Sequence, residues 1–327
     1  MPIPVGIAGF GHHTPEWVVP NEYFTRFVET SDEWIRQRTG IVERRWIRED
    51  QKPSDLFYEA GKQAIERSNL KPEDIDLIIL GTVSGDYLLP ATACILQDRL
   101  GCSNAAAFDI SAACPAFLYS LTIGKQFVAS GMYKNILCIG GEALSRIIDI
   151  HDRNSCVLFG DGAGACVLQP HEVCGQGLIE DQFLGTDGAG WHYIQRPRGG
   201  AAEGMSSEIL AEGTHLVRLK GREVYRFAVD KMAEIMEWAT QDITQDEIGL
   251  VIPHQVNRRI LETATEKLGI PPEKVLINIE HYGNTSAGSI PILMSEAEAA
   301  GRFEKDKYLV LAAFGAGLTW AGVRILW

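Results

Sequence analysis

The feature that most constrains this chain is that it repeats itself once, at long range. Residues 71–80 read KPEDIDLIIL and residues 244–253 read TQDEIGLVIP, each an acidic turn running into an apolar strand. RLGC at 99–102 is answered by KLGI at 267–270, each closing a helical stretch. AAAFDISAACPAF at 105–117 is answered by KVLINIEHYGNTSAGS at 274–289, each a short strand, a polar turn and small residues opening a helix. KNILCIGGEAL at 134–144 is answered by KYLVLAAFGAGLT at 307–319. The offsets between Leu77 and Leu250, Leu100 and Leu268, Asp109 and Asn278, and Leu137 and Leu309 differ by only a few residues, as loop insertions would produce. One fold written twice is the reading that follows.

In each half strands alternate with helices. The strand segments LIILG, AAFDIS, NILCIGG, LVIPH, VLINI and YLVLAAF are apolar throughout rather than at every second position. Such strands belong to sheets buried on both faces. The expected fold class is therefore α/β, with two pseudo-symmetric halves, each a mixed sheet covered by helices. The halves divide near Gln169–Pro170, giving 1–169 and 170–327, and the Gly-rich polar segment 185–213 reads as a long loop or cap.

Composition narrows the function. A chain 46% hydrophobic and 22% charged suits an ordinary globular protein. No run approaches the ~18 apolar residues of a membrane span, and the N-terminus lacks a signal pattern, so a cytoplasmic protein that does not enter the membrane is expected. The seven cysteines form no C-x-x-C pair, which argues against a disulfide scaffold or a zinc ribbon. Most read as small buried hydrophobes. A net charge of −13 argues against a nucleic-acid partner. Basic residues still crowd locally at Arg36, Arg38, Arg44, Arg45 and Arg48, and at Arg218, Lys220, Arg222 and Arg226, either as a solvated face or as a docking surface for something anionic.

Chemistry is expected where the repeat breaks its own symmetry. At matching strand-to-helix turns the first half places Cys114 and the second Asn284, while His254 ends the strand matching Leu77–Gly81. Ligands gather at the carboxyl ends of parallel strands, and a pseudo-twofold axis brings these ends together. Pro115 suits a first helical position, which sets Cys114 at a helix N-terminus, where the macrodipole favours a thiolate. Each residue also has a structural reading: a buried Cys among alanines, a structural His, a turn or cap Asn. The Gly-rich loops FGDGAGACVL (159–168) and FGAGLTWAGVRIL (314–326) lead into strands, not helices, and so are tight turns rather than dinucleotide loops.

With these residues in place the sequence resembles the β-ketoacyl-acyl-carrier-protein synthase III family of the thiolase superfamily, nearly end to end. SDEWIRQRTGIVERR (31–45), DISAAC (109–114), FGDGAGA (159–165), PHQVNRRI (253–260), GNTSAGS (283–289) and FGAGLTW (314–320) carry the resemblance. It implies a thiolase fold, a homodimer, and a condensing acyltransferase with no metal and no cofactor beyond its substrates, acyl-coenzyme A and malonyl-acyl-carrier protein. Cys114, His254 and Asn284 would be catalytic. The N–H groups of Cys114 and Ala316 would form the oxyanion hole. His254 and Asn284 would donate to the enolate. Trp34, Arg38, Arg153, Asn257 and Arg259 would line the coenzyme A and pantetheine entrance, Arg226 and Arg259 would dock the carrier protein, and Leu89 and Phe314 would border the acyl pocket. A relative acting in secondary metabolism, or using two coenzyme A substrates, would carry the same three residues. A non-catalytic partner subunit would not need them. The chain departs from the family at Pro115, at Ala316 where glycine is usual, at Glu266 where a basic residue often sits, and at Leu89 where some members carry Phe.

Overall fold

Strands that are apolar at every position need cover on both faces. The computed structural model, which describes residues 1–327, provides it with two sheets between three layers of helix. The first sheet holds β1 (Val5–His13), β2 (Leu77–Gly81), β3 (Ala106–Ile110), β4 (Ile136–Ala143) and β5 (Asp161–Pro170), in the order β1-β5-β4-β2-β3. The second holds β6 (Leu178–Thr186), β7 (Ile248–Pro253), β8 (Tyr308–Gly315) and β9 (Thr319–Leu326), in the order β6-β9-β8-β7. Both sheets are mixed. β2 runs parallel to β3 and β4, and β7 parallel to β8, while β5 and β9 are antiparallel to both of their neighbours. The second sheet thus repeats the order of the first four strands, β1-β5-β4-β2, and lacks a counterpart of the edge strand β3.

Alternation along each strand then builds the layers. Leu77, Ile79, Ile136 and Cys138 face one side of the first sheet, and Ile78, Leu80, Leu137 and Ile139 the other. In the second sheet Leu250, Ile252, Leu309 and Leu311 oppose Val251, Val310 and Ala312. The inward sets merge into one core of 27 buried residues, which includes apolar residues of the helices Ala116–Ala129 and Ser289–Ala299 packed between the sheets. The outward sets are covered by Pro53–Arg67 and Thr92–Leu100 on one flank and by Gly221–Thr240 and Arg258–Lys267 on the other. Full burial of each such side chain contributes about 1.5–3 kcal/mol, so the double cover is what holds the sheets. No helix is long and apolar enough to cross a membrane.

The halves meet closely. A β-carbon at Gly140 on β4 would lie 2.4 Å from the carbonyl oxygen of Ala287, and only glycine lets the Asn284–Ser289 loop of the second half rest on the first sheet there.

Four expectations change on contact with the structure. VLINI (275–279) is not a strand: it pairs with β7 only through a bridge between Val251 and Val275. The Gln255 side chain takes over beyond it, its Nε2 donating to Leu276 O and its Oε1 accepting from Asn278 N. Pro115 falls one position early, capping the Ala116–Ala129 helix rather than starting it. Arg44 belongs to no docking surface. Its guanidinium is fully buried, donates to Val19 O, Asn21 Oδ1 and Val157 O, and lies over the Phe24 ring. The 185–213 segment is more ordered than a loop. It carries the end of β6, a helical turn Gly188–Tyr193, a short strand Ile194–Gln195 paired with Arg218–Leu219, and the helix Ser207–Glu212.

Candidate active site

Cys114 lies four residues beyond β3, on a turn whose shape is set by Ala113 in the left-handed region at φ 52°. Ala116 N donates to Ala113 O and the helix starts immediately. The loop after β8 presses on this turn. A β-carbon at Gly315 would lie 2.8 Å from Cys114 N. Thr319 Oγ1 sits 3.0 Å from Ala112 O and 2.9 Å from Ala316 O, so one hydroxyl links the two turns. The N–H groups of Cys114 and Ala316 donate to no protein acceptor.

His254 follows β7 directly, and its N–H donates to Ala312 O at 2.8 Å, continuing the ladder to β8. The ring is wholly buried, edge-on to Phe314. Nδ1 lies 2.8 Å from Ser289 Oγ, and Nε2 has no partner. Burial pulls the imidazole down to about 3, so it is neutral at physiological pH. Ser289 Oγ is also 2.9 Å from Ser286 O. Its single proton goes to one acceptor or the other, and when it goes to Nδ1 the ring carries its own proton on Nε2.

Asn284 is fixed to the first half through its backbone. Asn284 N donates to Leu158 O at 2.9 Å, and Gly160 N donates to Asn284 O at 3.0 Å. Its Oδ1 accepts from Ser286 N at 2.8 Å, which leaves the Nδ2 amide free for a ligand.

Cys114, His254 and Asn284 all line one cavity of about 420 Å³, whose walls are mainly apolar. Trp34, Arg38, Arg153, Asn257, Phe314 and Ala316 line it too. The Trp34 ring is flanked by two guanidinium groups, Arg38 at 4.9 Å and Arg153 at 5.1 Å from its centroid. Asn257 also has a structural task, its Oδ1 capping Arg259 N while Nδ2 holds Arg38 O. Three of the expected residues lie outside the cavity. Arg226 and Arg259 are exposed on the two outer helices, neither paired with a carboxylate. Leu89 is 86% exposed at the tip of the loop after β2, whereas Val83 of the same loop reaches the cavity.

The helix-end position does not by itself ionise Cys114. Burial pushes the thiol up to about 12, and the Ser286 hydroxyl, donating to Sγ at 3.4 Å, opposes this. Sequence reading missed Ser286 and Ser289, because both looked like small residues opening a helix. It also missed Glu142, buried on β4, which accepts from Thr82 Oγ1, Ser84 Oγ and Val83 N and so anchors the loop behind the cavity. Arg196, from the segment read as a loop or cap, and Tyr225, from the basic stretch 218–226, also line the cavity, and neither was singled out in the sequence. No cluster of three His, Cys, Asp or Glu side chains is placed to hold a metal ion.

A doubled helix-covered sheet with a cysteine, a histidine and an asparagine converging from both halves is the arrangement of a thiolase-fold condensing enzyme. Comparison with known proteins gives the family. Residues 108–188 match the model of 3-oxoacyl-[acyl-carrier-protein] synthase III, and residues 238–327 match that of its C-terminal part. The chain is 47% identical to the β-ketoacyl-[acyl-carrier-protein] synthase III of Caldanaerobacter subterraneus subsp. tengcongensis, over 99% of this chain and 98% of that one. The crystal structure of 3-oxoacyl-[acyl-carrier-protein] synthase III from Aquifex aeolicus superposes with a TM-score of 0.90 at 40% identity, covering 99% and 100% of the two chains. A priming β-ketosynthase of the R1128 polyketide pathway superposes with a TM-score of 0.90 at 28% identity, covering 100% and 98%. The chain belongs to the 3-oxoacyl-[acyl-carrier-protein] synthase III family and is a condensing acyltransferase.

Proposed function

We propose that this enzyme loads an acyl group from acyl-coenzyme A onto Cys114 and condenses it with malonyl-acyl-carrier protein. The observation that carries this is the convergence of Cys114 from the first half, 1–169, with His254 and Asn284 from the second, 170–327, in one apolar cavity. The Cys114 sulfur attacks the acyl thioester, the new S–C bond forms, the coenzyme A C–S bond breaks, and the thiol proton ends on the departing thiolate. The unpaired N–H groups of Cys114 and Ala316 hold the oxyanion. Malonyl thioester then loses CO₂. The enolate oxygen is held by Asn284 Nδ2–H and by His254 Nε2–H, the tautomer that Ser289 supports when its proton is given to Nδ1. The enolate carbon attacks the acyl carbonyl and frees the Cys114 thiolate with a β-ketoacyl thioester as product.

At the mouth, the flat Trp34 face and the Arg38, Arg153 and Arg259 cations suit a nucleotide with phosphates, and Asn257 a pantetheine amide. Arg226 and Arg259 are free cations on a chain of net charge −13, as docking of an acidic carrier protein needs, although Glu266 lies exposed nearby on the same helix as Arg259. A homodimer is favoured by β3, an edge strand with an open ladder, and by the exposed Tyr87, Leu88 and Leu89. Across such an interface Leu89 would close the partner's acyl pocket opposite Phe314. We place the enzyme in the cytoplasm. Likeness to the polyketide priming ketosynthase favours a second reading, a same-fold enzyme of secondary metabolism. Incubation with a panel of acyl-coenzyme A donors, each with malonyl-carrier protein or malonyl-coenzyme A, tests both. A β-ketoacyl-carrier protein product from small primers is expected. Condensation with malonyl-coenzyme A alone would overturn the carrier-protein reading.

A further inference from the structure

The geometry points to Ser286 as the residue that joins the three site residues, and to its hydroxyl as the donor that stabilises the Cys114 thiolate while the acyl group is loaded. This rests on Cys114 being the acylated residue. Its N–H and hydroxyl each bond one member of the set, and its carbonyl lies against Ser289, the neighbour of His254. Its N–H donates to Asn284 Oδ1 at 2.8 Å, which turns the Nδ2 amide away from the loop. Its carbonyl lies 2.9 Å from Ser289 Oγ, which is 2.8 Å from His254 Nδ1. Its Oγ donates to Cys114 Sγ at 3.4 Å.

Ser286 makes these contacts from the left-handed region, at φ 49°. A residue with a β-carbon is strained there and glycine is not. Ser286 is 4% exposed, so no water-facing role accounts for the hydroxyl. The turn that carries Cys114 is bent in the same way, at Ala113. Two strained turns, one from each half, thus face each other across the Sγ–Oγ contact. Before sulfur attacks the thioester it must give up its proton, and the thiolate so formed is charged in a cavity that disfavours charge. A hydroxyl donor already in place strengthens as that charge develops. The donor also remains for the thiolate released after condensation.

Two variants separate the hydroxyl from the backbone. Ser286→Ala keeps the strain and removes the donor, and Ser286→Gly removes both. In each, loading of Cys114 from acyl-coenzyme A, and alkylation of the Cys114 peptide by iodoacetamide as a function of pH, are followed by mass spectrometry. Thermal unfolding is measured in parallel. Both variants are expected to load about tenfold more slowly or worse, with the alkylation profile moved to higher pH. Ser286→Gly should unfold at no lower temperature than Ser286→Ala. Loading and alkylation at the wild-type rate in either variant would overturn the role of the hydroxyl. A lower unfolding temperature for Ser286→Gly would overturn the strain. An acyl adduct that persists in Cys114→Ala would instead refute the underlying assignment of the nucleophile.

Discussion

Cys114 sits where burial works against its ionisation, and His254 where burial keeps it neutral. A histidine held down at about 3 is uncharged across the range in which enzymes work, which suits the proposed role of hydrogen-bond donor rather than that of a titrating acid. The decarboxylation rate should therefore show no inflection as pH passes the ordinary histidine value of 6.5. A clear limb there, absent in His254→Asn, would contradict the neutral ring. In the proposed mechanism Asn284→Ala and His254→Ala each remove one donor from the enolate and none from the loading oxyanion hole. Each is expected to retain self-acylation while malonyl decarboxylation falls by roughly 10²–10³. Decarboxylation at the wild-type rate, measured as CO₂ release, would show that these side chains face something else. Sequence symmetry pointed to Cys114, His254 and Asn284, and the structure brings all three to one cavity. It could not find Ser286, whose role depends on a backbone angle, or the burial of Arg44, which sits within an arginine-rich stretch and looks no different from its neighbours.

Among the elements, the end of β2 shows how the cavity wall is kept in place. Glu142 on β4 binds Thr82, Val83 and Ser84 with a wholly buried carboxyl, and burial raises it to about 7 against an ordinary 4.5. The folded chain therefore keeps a proton that the unfolded chain releases between these values, and stability falls as pH rises through that window. The span corresponds to about 3 kcal/mol by the alkaline end. Glu142→Gln cannot ionise, so its unfolding temperature should fall less between mildly acidic and mildly alkaline pH than that of the wild type. Equal slopes would mean that Glu142 does not titrate in this way. Most elements were legible from pattern alone, since all-apolar strands and the amphipathic Arg258–Lys267 helix follow from local chemistry. VLINI was misread because a single side chain, Gln255, replaces the ladder there, and period and propensity do not register such a substitution.

At the scale of the whole molecule, the repeat seen in the sequence returns as two sheets that share the order of four strands, and the residues expected from the two halves line one cavity. The rest depends on what lies beyond one chain. The exposed loop bearing Leu89 and the open edge of β3 acquire a purpose in a dimer, and sedimentation at twice 36.0 kDa is the expected result. A monomer at working concentration would contradict it. Within that dimer Leu89→Phe adds aromatic volume to the partner's pocket, where each buried CH₂ of an acyl chain is worth about 0.8 kcal/mol. The kcat/KM ranking of acetyl, butyryl, isobutyryl and octanoyl primers should then shift toward the shortest. An unchanged ranking would show that this residue does not border the pocket.

Convergence of both halves on one acylated sulfur can be read by intact-protein mass spectrometry after incubation with acyl-coenzyme A. The wild-type chain is expected to gain the mass of one acyl group, mapped to the peptide containing Cys114, and Cys114→Ala to gain none. An adduct of the same mass on Cys114→Ala would contradict the account.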